Sequence, residues 1–430
     1  MQTLILGAGP AGLSAAYHLK NKHLLIEKED RVGGLARSIE KDGFIFDFAG
    51  HIFFTKDRYA NTLVKKLLGK NIHFQNRNAW VFSKDTFTRY PFQANTFGLP
   101  REVVMECMLG VIEASKNGES GKPPKHFKEW IIKTFGAGIA EHFMFPYNKK
   151  VWATPLEKMT YEWIANRVMT PKIKEVLEGA LESRPVTFGP NSRFAYPLYG
   201  GCQALADSFL PCLKHTDLLL NSKVVNVDTE RRMITLKSGK EFEYKTMIST
   251  LPLPEIIKLC KKIPKEVRKA ARELMFTSVY CLNIGIDHPK ITDKSWIYYP
   301  EEDVTFQRLF IQSNASPNVV PHGKSSVAAE ISYSKFKPIS KEGLIERVIN
   351  DLLKTRFIEN KNQVILTDLL DLKYGYIIFE KNRQKKVNKI KNFLREKGIH
   401  VAGRFGEWEY YNMDHAILSG KKAAEEISKK

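Results

Sequence analysis

Residues 3–6 (TLIL) form a short run of apolar and β-branched residues, which suits a strand buried on both faces better than a helical turn. Residues 13–20 (LSAAYHLK) follow as a helix, and 23–27 (HLLIE) as a second strand that ends on a carboxylate. Farther along, 223–227 (KVVNV), 233–236 and 241–244 read as short strands, the last two joined as a hairpin across Ser238-Gly239. Residues 246–250 (TMIST) read as a separate strand returning to the first sheet. Between Ser278 and Tyr333 the segments SVYCLNIGI, SWIYY, TFQRLFIQ and SVAAEISY predict a second sheet. Near the end, 400–403 reads as a buried strand and 414–427 as a helix. Residues 117–124 (NGESGKPP) are rich in breakers and predict a loop between two helical stretches.

The first strand runs straight into Gly7-Ala8-Gly9-Pro10-Ala11-Gly12, so a GxGxxG turn joins strand to helix. In that position Gly7 permits the tight turn, Gly9 lets a pyrophosphate approach the backbone, and Gly12 lets helix and strand pack closely. The helix N-terminus then offers free N–H groups and partial positive charge to phosphates. Glu27 stands 20 residues after Gly7, where a carboxylate can accept from ribose hydroxyls. An acid rather than an arginine there argues against a 2′-phosphate.

After Glu27 comes Arg31-Val32-Gly33-Gly34-Leu35-Ala36-Arg37-Ser38, a second glycine pair with basic residues that suits a diphosphate or, alternatively, an ordinary surface turn. At these residues the chain resembles the flavin-binding families that include amine oxidases, protoporphyrinogen oxidases and UDP-galactopyranose mutases. The resemblance implies bound FAD, with Gly34, Leu35 and Arg37 beside Gly7, Gly9, Gly12 and Glu27 in holding it.

Four stretches combine aromatics, amides and arginines beyond what a core requires: RYPFQ at 89–93, FMFPYNKKVWATPLEKM at 143–159, FGPN at 188–191 and FQRLFIQSN at 306–314. Rings can stack on a nucleobase, amides can read its edge, and arginines can grip a diphosphate with two prongs. Here the chain is similar to the UDP-galactopyranose mutase family. Residues 143–159, continuing through Trp163 and Arg167, resemble the eukaryotic-type enzymes, and GRFGEWEYYNMD at 403–414 the bacterial type.

That resemblance implies uracil and ribose near Tyr90, Phe92, Gln93, Phe143, Asn148 and Trp152, and a substrate held near the flavin by Asn191. It implies a diphosphate between Arg167 and Arg308, reached also by the hydroxyls of Tyr298, Tyr376 and Tyr410. On the cofactor side it implies Gly50 and His51 beside the flavin ring, Val225 touching the adenosine through its backbone, and Gly403, Arg404, Met413 and Asp414 near the ring and ribityl chain. Two departures stand out: Ala49 where the family has Gly or Pro, and Ile377-Ile378 after Tyr376 in place of a proline-containing continuation. Without the resemblance, His51 reads as a satisfied core histidine.

The chemistry implied is a non-redox ring contraction of a nucleotide sugar, UDP-galactopyranose to UDP-galactofuranose. Reduced FAD supplies its N5 atom as nucleophile, and NAD(P)H or another reductant primes it. Arg167, Arg308 and His51 are then the catalytic candidates. An FAD oxidoreductase of the amine oxidase or protoporphyrinogen oxidase type is the alternative, and a flavin-free escort protein on the same fold a third. No zinc spacing or Ser-His-Asp arrangement competes, and no metal is expected.

Charge and cysteines then set the context. Lys and Arg number 67 against 47 Asp and Glu, an excess of +20 that favours acidic partners. The lysine-rich stretch 381–397 carries Val387, Ile390, Phe393 and Leu394 at helical spacing, which reads as a surface helix rather than a nucleic-acid arm. Five cysteines, at 107, 202, 212, 260 and 281, form no CxxC pair, which fits a reduced, cytoplasmic protein. No run approaches the roughly 20 apolar residues of a transmembrane span, and a homo-oligomer is left open.

The expected fold is α/β: a Rossmann-like FAD-binding domain of the glutathione-reductase type, with a helical insert and a mostly antiparallel sheet domain. Its expected parts are 1–60, 185–255 and 395–430 for the FAD domain, 95–184 for the substrate-binding insert, and 61–94 with 256–394 for the sheet domain.

Overall fold

The computed structural model describes residues 2–117, 122–164, 167–183 and 192–429. Five parallel strands form the first layer, in the spatial order Thr216–Leu219, His23–Ile26, Gln2–Leu6, Glu241–Ser249 and Ile399–Val401. Leu4, Ile5, Leu25, Met247 and Ile248 are fully buried, as apolar strands covered on both faces must be. The helices Pro10–His18 and Met413–Ser428 cross on one face so closely that a side chain at Gly420 would meet the Ala11 carbonyl at 2.0 Å.

Glu241–Ser249 is one continuous strand, where the sequence suggested two separate ones. Its first half pairs antiparallel with Met233–Leu236, which pairs in turn with Val224–Asp228; its second half pairs parallel with Gln2–Leu6. The exposed Lys245 marks a change of neighbours, from a solvated ribbon to the buried sheet, and not a break in the chain.

The second sheet has seven strands in the order Val364–Ile377, Phe276–Ile286, Ser325–Tyr333, Arg308–Phe310, Trp296–Tyr298, Ala79–Ser83 and Thr86–Arg89. All pairs are antiparallel except Trp296–Tyr298 with Ala79–Ser83. The edge strand Val364–Ile377 escaped the sequence reading because its residues are mostly half-buried and its apolar pattern is irregular. Helices Arg101–Asn117 and Phe127–Ile139 pack as an antiparallel pair, and a π turn, Ala140–Met144, leads from them into Phe145–Trp152. The lysine-rich stretch folds as Arg383–Glu396 and buries Val387, Ile390, Phe393 and Leu394.

Four of the five cysteines are buried and none is in a disulfide. Among the described residues, no helix is long and apolar enough to cross a membrane, and no cluster of His, Cys, Asp and Glu could hold a metal ion.

Candidate functional site

The glycine turn has the geometry its motif predicts. Gly7 has φ +92°, and a Cβ on Gly12 would lie 1.8 Å from the Gly7 carbonyl, so neither position admits a side chain. The second glycine turn folds back onto the first: Gly33 donates to the Ala8 carbonyl at 2.8 Å, and a Cβ on Gly34 would sit 3.0 Å from the Gly9 Cα. The helix Pro10–His18 begins at Gly9 with no side-chain cap, which leaves its first N–H groups for a ligand. Glu27 is buried at the end of its strand and accepts from Ala8 N–H at 2.7 Å and Glu29 N–H at 3.1 Å, one bond per oxygen. Each oxygen keeps a lone pair for another donor.

Arg37 donates from Nε to the Gly34 carbonyl at 3.0 Å and lies over Phe48, and Leu35 is half-buried in the same turn. Val225 is exposed at a β-bulge on the sheet edge, three residues past Ser222, which bonds to the Glu27 carbonyl. An uncapped helix start, two facing glycine turns and a strand-end carboxylate fit a flavin dinucleotide.

The loop from Asp47 to His51 joins this layer to the second sheet. Asp47 is buried and takes hydrogen bonds from Ser38 Oγ at 2.6 Å, Tyr196 OH at 2.6 Å and Cys202 N at 3.0 Å; burial still raises its carboxyl above the usual range. Ala49 has φ +72°, the left-handed region where glycine fits without strain. Gly50 lies against Trp296 and Phe310, and donates to Glu330 Oε1 at 3.1 Å. His51 Nδ1 lies 3.1 Å from the Ala49 carbonyl, so that nitrogen carries the proton; burial lowers the ring's pKa and holds it neutral. Nε2 is then the free acceptor.

The arginines and tyrosines of the expected diphosphate cleft form one contiguous cluster. Arg308 pairs with Glu330 at 2.8 Å and donates to Tyr376 OH at 3.2 Å, while its buried Nε has no partner. Glu330 raises the Arg308 pKa, although burial pulls the other way. Tyr410 lies between two guanidiniums, Arg167 at 4.4 Å and Arg404 at 4.6 Å from its ring centre, and its carbonyl accepts from Arg167. Burial lowers the pKa of Arg167 and Arg404, helped by the charge of Arg404 on Arg167 and of Arg308 on Arg404. Arg404 also donates to the carbonyls of Tyr411 at 2.8 Å and Gly375 at 2.9 Å. Gly403, Met413 and Asp414 flank this group. Asp414 is buried, and although burial opposes it, hydrogen bonds from His415 and Thr55 lower its pKa.

The aromatic candidates form two groups. Phe92, Phe143 and Tyr147 make a stack of nearly parallel rings at 4.8 and 5.1 Å, with Phe92 and Phe143 fully interior and Tyr147 at the half-buried end. Tyr90 stacks on Tyr298 at 4.6 Å, and burial pushes its hydroxyl pKa up to about 12. Trp152 packs edge-on to Trp163 and Tyr376. Asn148 spends both ends of its amide locally, on the Met144 carbonyl at 2.7 Å and Trp152 Nε1 at 3.0 Å. Gln93 donates to the Met169 carbonyl at 3.0 Å and leaves its buried Oε1 without a donor. Asn191 lies outside the described residues.

Three residues in this cleft were not among the sequence candidates. Glu330 pairs with Arg308; Tyr147 ends the ring stack; Arg77 donates to Tyr298 OH, lies near the rings of Tyr90, Trp296 and Tyr298, and keeps a buried Nε unpartnered. A pocket of about 310 Å³ lies near Thr55, Lys65, Phe74 and Arg193, and an apolar gap of only about 10 Å³ near Leu68, Cys202 and Met413.

Residues 10–428 match the profile of flavin containing amine oxidoreductases. A solved structure of reduced UDP-galactopyranose mutase superposes on the whole chain and 94% of its own, with TM-score 0.94 and 29% identity. By sequence, the coproporphyrinogen III oxidase of Bacillus subtilis (strain 168) is 20% identical across 84% of each chain. The mitochondrial protoporphyrinogen oxidase of Nicotiana tabacum is 24% identical across 60% of each.

Proposed function

The chain belongs to the flavin containing amine oxidoreductase family, and we propose that it uses the fold to interconvert the pyranose and furanose forms of a nucleotide sugar, UDP-galactose above all. It is an FAD enzyme on the isomerase side of that family, in line with its whole-chain likeness to a UDP-galactopyranose mutase. The observation that carries the substrate is the convergence of Arg167, Arg308 and Arg404 with Tyr298, Tyr376 and Tyr410 in one cleft beside the Gly50–His51 loop. Amine substrates are cationic and give three guanidiniums no task, and the propionates of a porphyrinogen, spread around its rim, give them no shared one. A diphosphate gives them one.

The glycine turns, Glu27 and the start of Pro10–His18 would hold the FAD, with the Asp47–His51 loop and Arg404 as the residues for its ring. When bound and reduced by NAD(P)H or another reductant, FAD would supply a nucleophile, its N5 atom, for the anomeric carbon. The protein's part begins with the leaving group. UDP gains negative charge as the glycosidic bond breaks, and Arg167 and Arg308 stabilise it more than they stabilise intact substrate. The buried Arg308 Nε, without a partner, is a donor available for that task. Gln93 Oε1, also unpartnered, suits the N3–H of uracil. Neutral His51 presents Nε2 as a proton acceptor for a sugar hydroxyl during ring opening and reclosure.

The test is product chromatography after incubating dithionite-reduced and oxidised protein with a panel of nucleotide sugars. Furanose product from the reduced protein alone supports the reading. Equal turnover without reductant, or oxygen consumption with amines or porphyrinogens and no sugar product, overturns it.

A further inference from the structure

The lysine-rich helix Arg383–Glu396 reads as solvated, yet its first residue points inward. Arg383 is 7% exposed, and its guanidinium lies 4.1 Å from the Phe379 ring centre. It donates from NH1 to the Trp408 carbonyl and from NH2 to Glu409 Oε1 at 3.0 Å. Both partners belong to the turn that carries Tyr410.

Within that turn Glu409 N–H donates to the Arg404 carbonyl and Tyr411 N–H to the Glu409 carbonyl, both at 2.9 Å, but one of its residues is strained. Trp408 has φ +57°, a region sparsely populated by bulky residues, and its side chain is fully buried against Phe276, Tyr374 and Phe405. From the cleft side, Arg167 and Arg404 hold the next two carbonyls, of Tyr410 and Tyr411. A diphosphate competes for Arg167, whose bond to Tyr410 must then weaken. Tyr410 is then fixed by Arg404, by the two backbone bonds of the turn and by the hold from behind. Lys391, one helical face away, reaches Glu407 at 3.5 Å and adds to it.

We infer that Arg383 is a positioning residue for the diphosphate cleft: by clamping Trp408 and Glu409 it keeps Tyr410 stacked between Arg167 and Arg404 when the anion arrives. The inference rests on reading that cleft as the diphosphate site. Planarity matters, since one guanidinium serves a carbonyl and a carboxylate at once, which an ammonium on a flexible stem does less well.

The experiment measures UDP affinity of the folded, FAD-loaded protein, separately from its urea midpoint, for the parent, Arg383→Gln, Arg383→Lys, Glu409→Gln and the Arg383→Gln/Glu409→Gln pair. The clamp predicts about a tenfold loss of UDP affinity for Arg383→Gln, partial recovery in Arg383→Lys, a smaller loss for Glu409→Gln, and no added loss in the double variant. A merely structural arginine would lower the urea midpoint and leave the affinity of the folded fraction unchanged. Affinities within twofold of the parent in both Arg383→Gln and Glu409→Gln overturn the inference. A parent that binds no UDP overturns instead the diphosphate reading on which it rests.

Discussion

Arg308 and Glu330 are direct cross-strand neighbours whose side chains pair at 2.8 Å, with the carboxylate only 1% exposed. The other Glu330 oxygen takes the Gly50 N–H, so one buried acid ties Arg308 to the Asp47–His51 loop.

Removing that acid should therefore cost more than a surface ion pair. Glu330→Ala leaves Arg308 uncompensated and Gly50 N–H unsatisfied. Losing one partner of a fully buried pair costs about 3–5 kcal/mol, and because the Arg308 side chain is 23% exposed, a loss of about 2–3 kcal/mol is expected. Urea unfolding of the FAD-loaded protein reads it directly. A loss under about 0.5 kcal/mol, the size of an exposed pair, would mean that solvent reaches the pair in solution.

Arg167 and Arg308 should separate in their effects. Arg167→Ala and Arg308→Ala are each expected to weaken UDP binding by about a hundredfold, as for a truncated charge contact worth roughly 2–5 kcal/mol. FAD should stay bound in both, since the glycine turns are untouched. Only Arg308→Ala should also lower stability, because it orphans Glu330, whereas Arg167 is bonded to a carbonyl. Calorimetric titration with UDP and the flavin absorbance of the purified variants check both points.

These residues also show what a sequence can disclose. The Gly7–Glu27 unit was legible because strand, turn, helix and carboxylate are consecutive and each glycine answers a local steric need. Arg167, Arg308 and Arg404 come from three distant segments: the family resemblance put the first two on a diphosphate and the third by the flavin, and only the structure shows Arg404 beside Tyr410 with Arg167. Glu330 was hidden for a different reason. Within SVAAEISY a charged residue looks like the solvated face of an alternating strand, but Ser325–Tyr333 is buried on both faces for nearly its whole length. Arg383 was masked by its lysine neighbours, and Lys245 by a rule that treats a polar residue between two apolar runs as a break.

Ala49 stands where the family has glycine or proline, and its φ of +72° gives that departure a physical cost. An L-residue in this region loses about 1–2 kcal/mol, and glycine returns about 0.4–1 kcal/mol of that by loosening the unfolded chain. Ala49→Gly should then stabilise the protein by about 0.5–1 kcal/mol, seen as a higher urea midpoint with an unchanged slope. A lower midpoint would show that the methyl group's packing against the core outweighs the strain.

Lys150 offers a pH test on the helix that carries Asn148 and Trp152. It is 3% exposed, and its ammonium bonds to the carbonyls of Tyr299 and Glu301 at 2.9 Å each, docking that helix on the second sheet. Burial, helped by the charge of Lys337 and opposed by Glu301, Asp351 and Asp303, lowers its pKa from 10.5 to about 7. Between those values the unfolded chain holds a proton that the native protein has released. Stability therefore rises with pH across that window, and the cost of burying the charge is fully present below about pH 7. Lys150→Met lacks this dependence but leaves two carbonyls without a donor. The stability of the parent relative to Lys150→Met should accordingly climb from pH 7 to pH 9.5, measured by urea unfolding at each pH. A flat difference would mean that the ammonium stays charged in the native state, held by its two carbonyls and the surrounding acids.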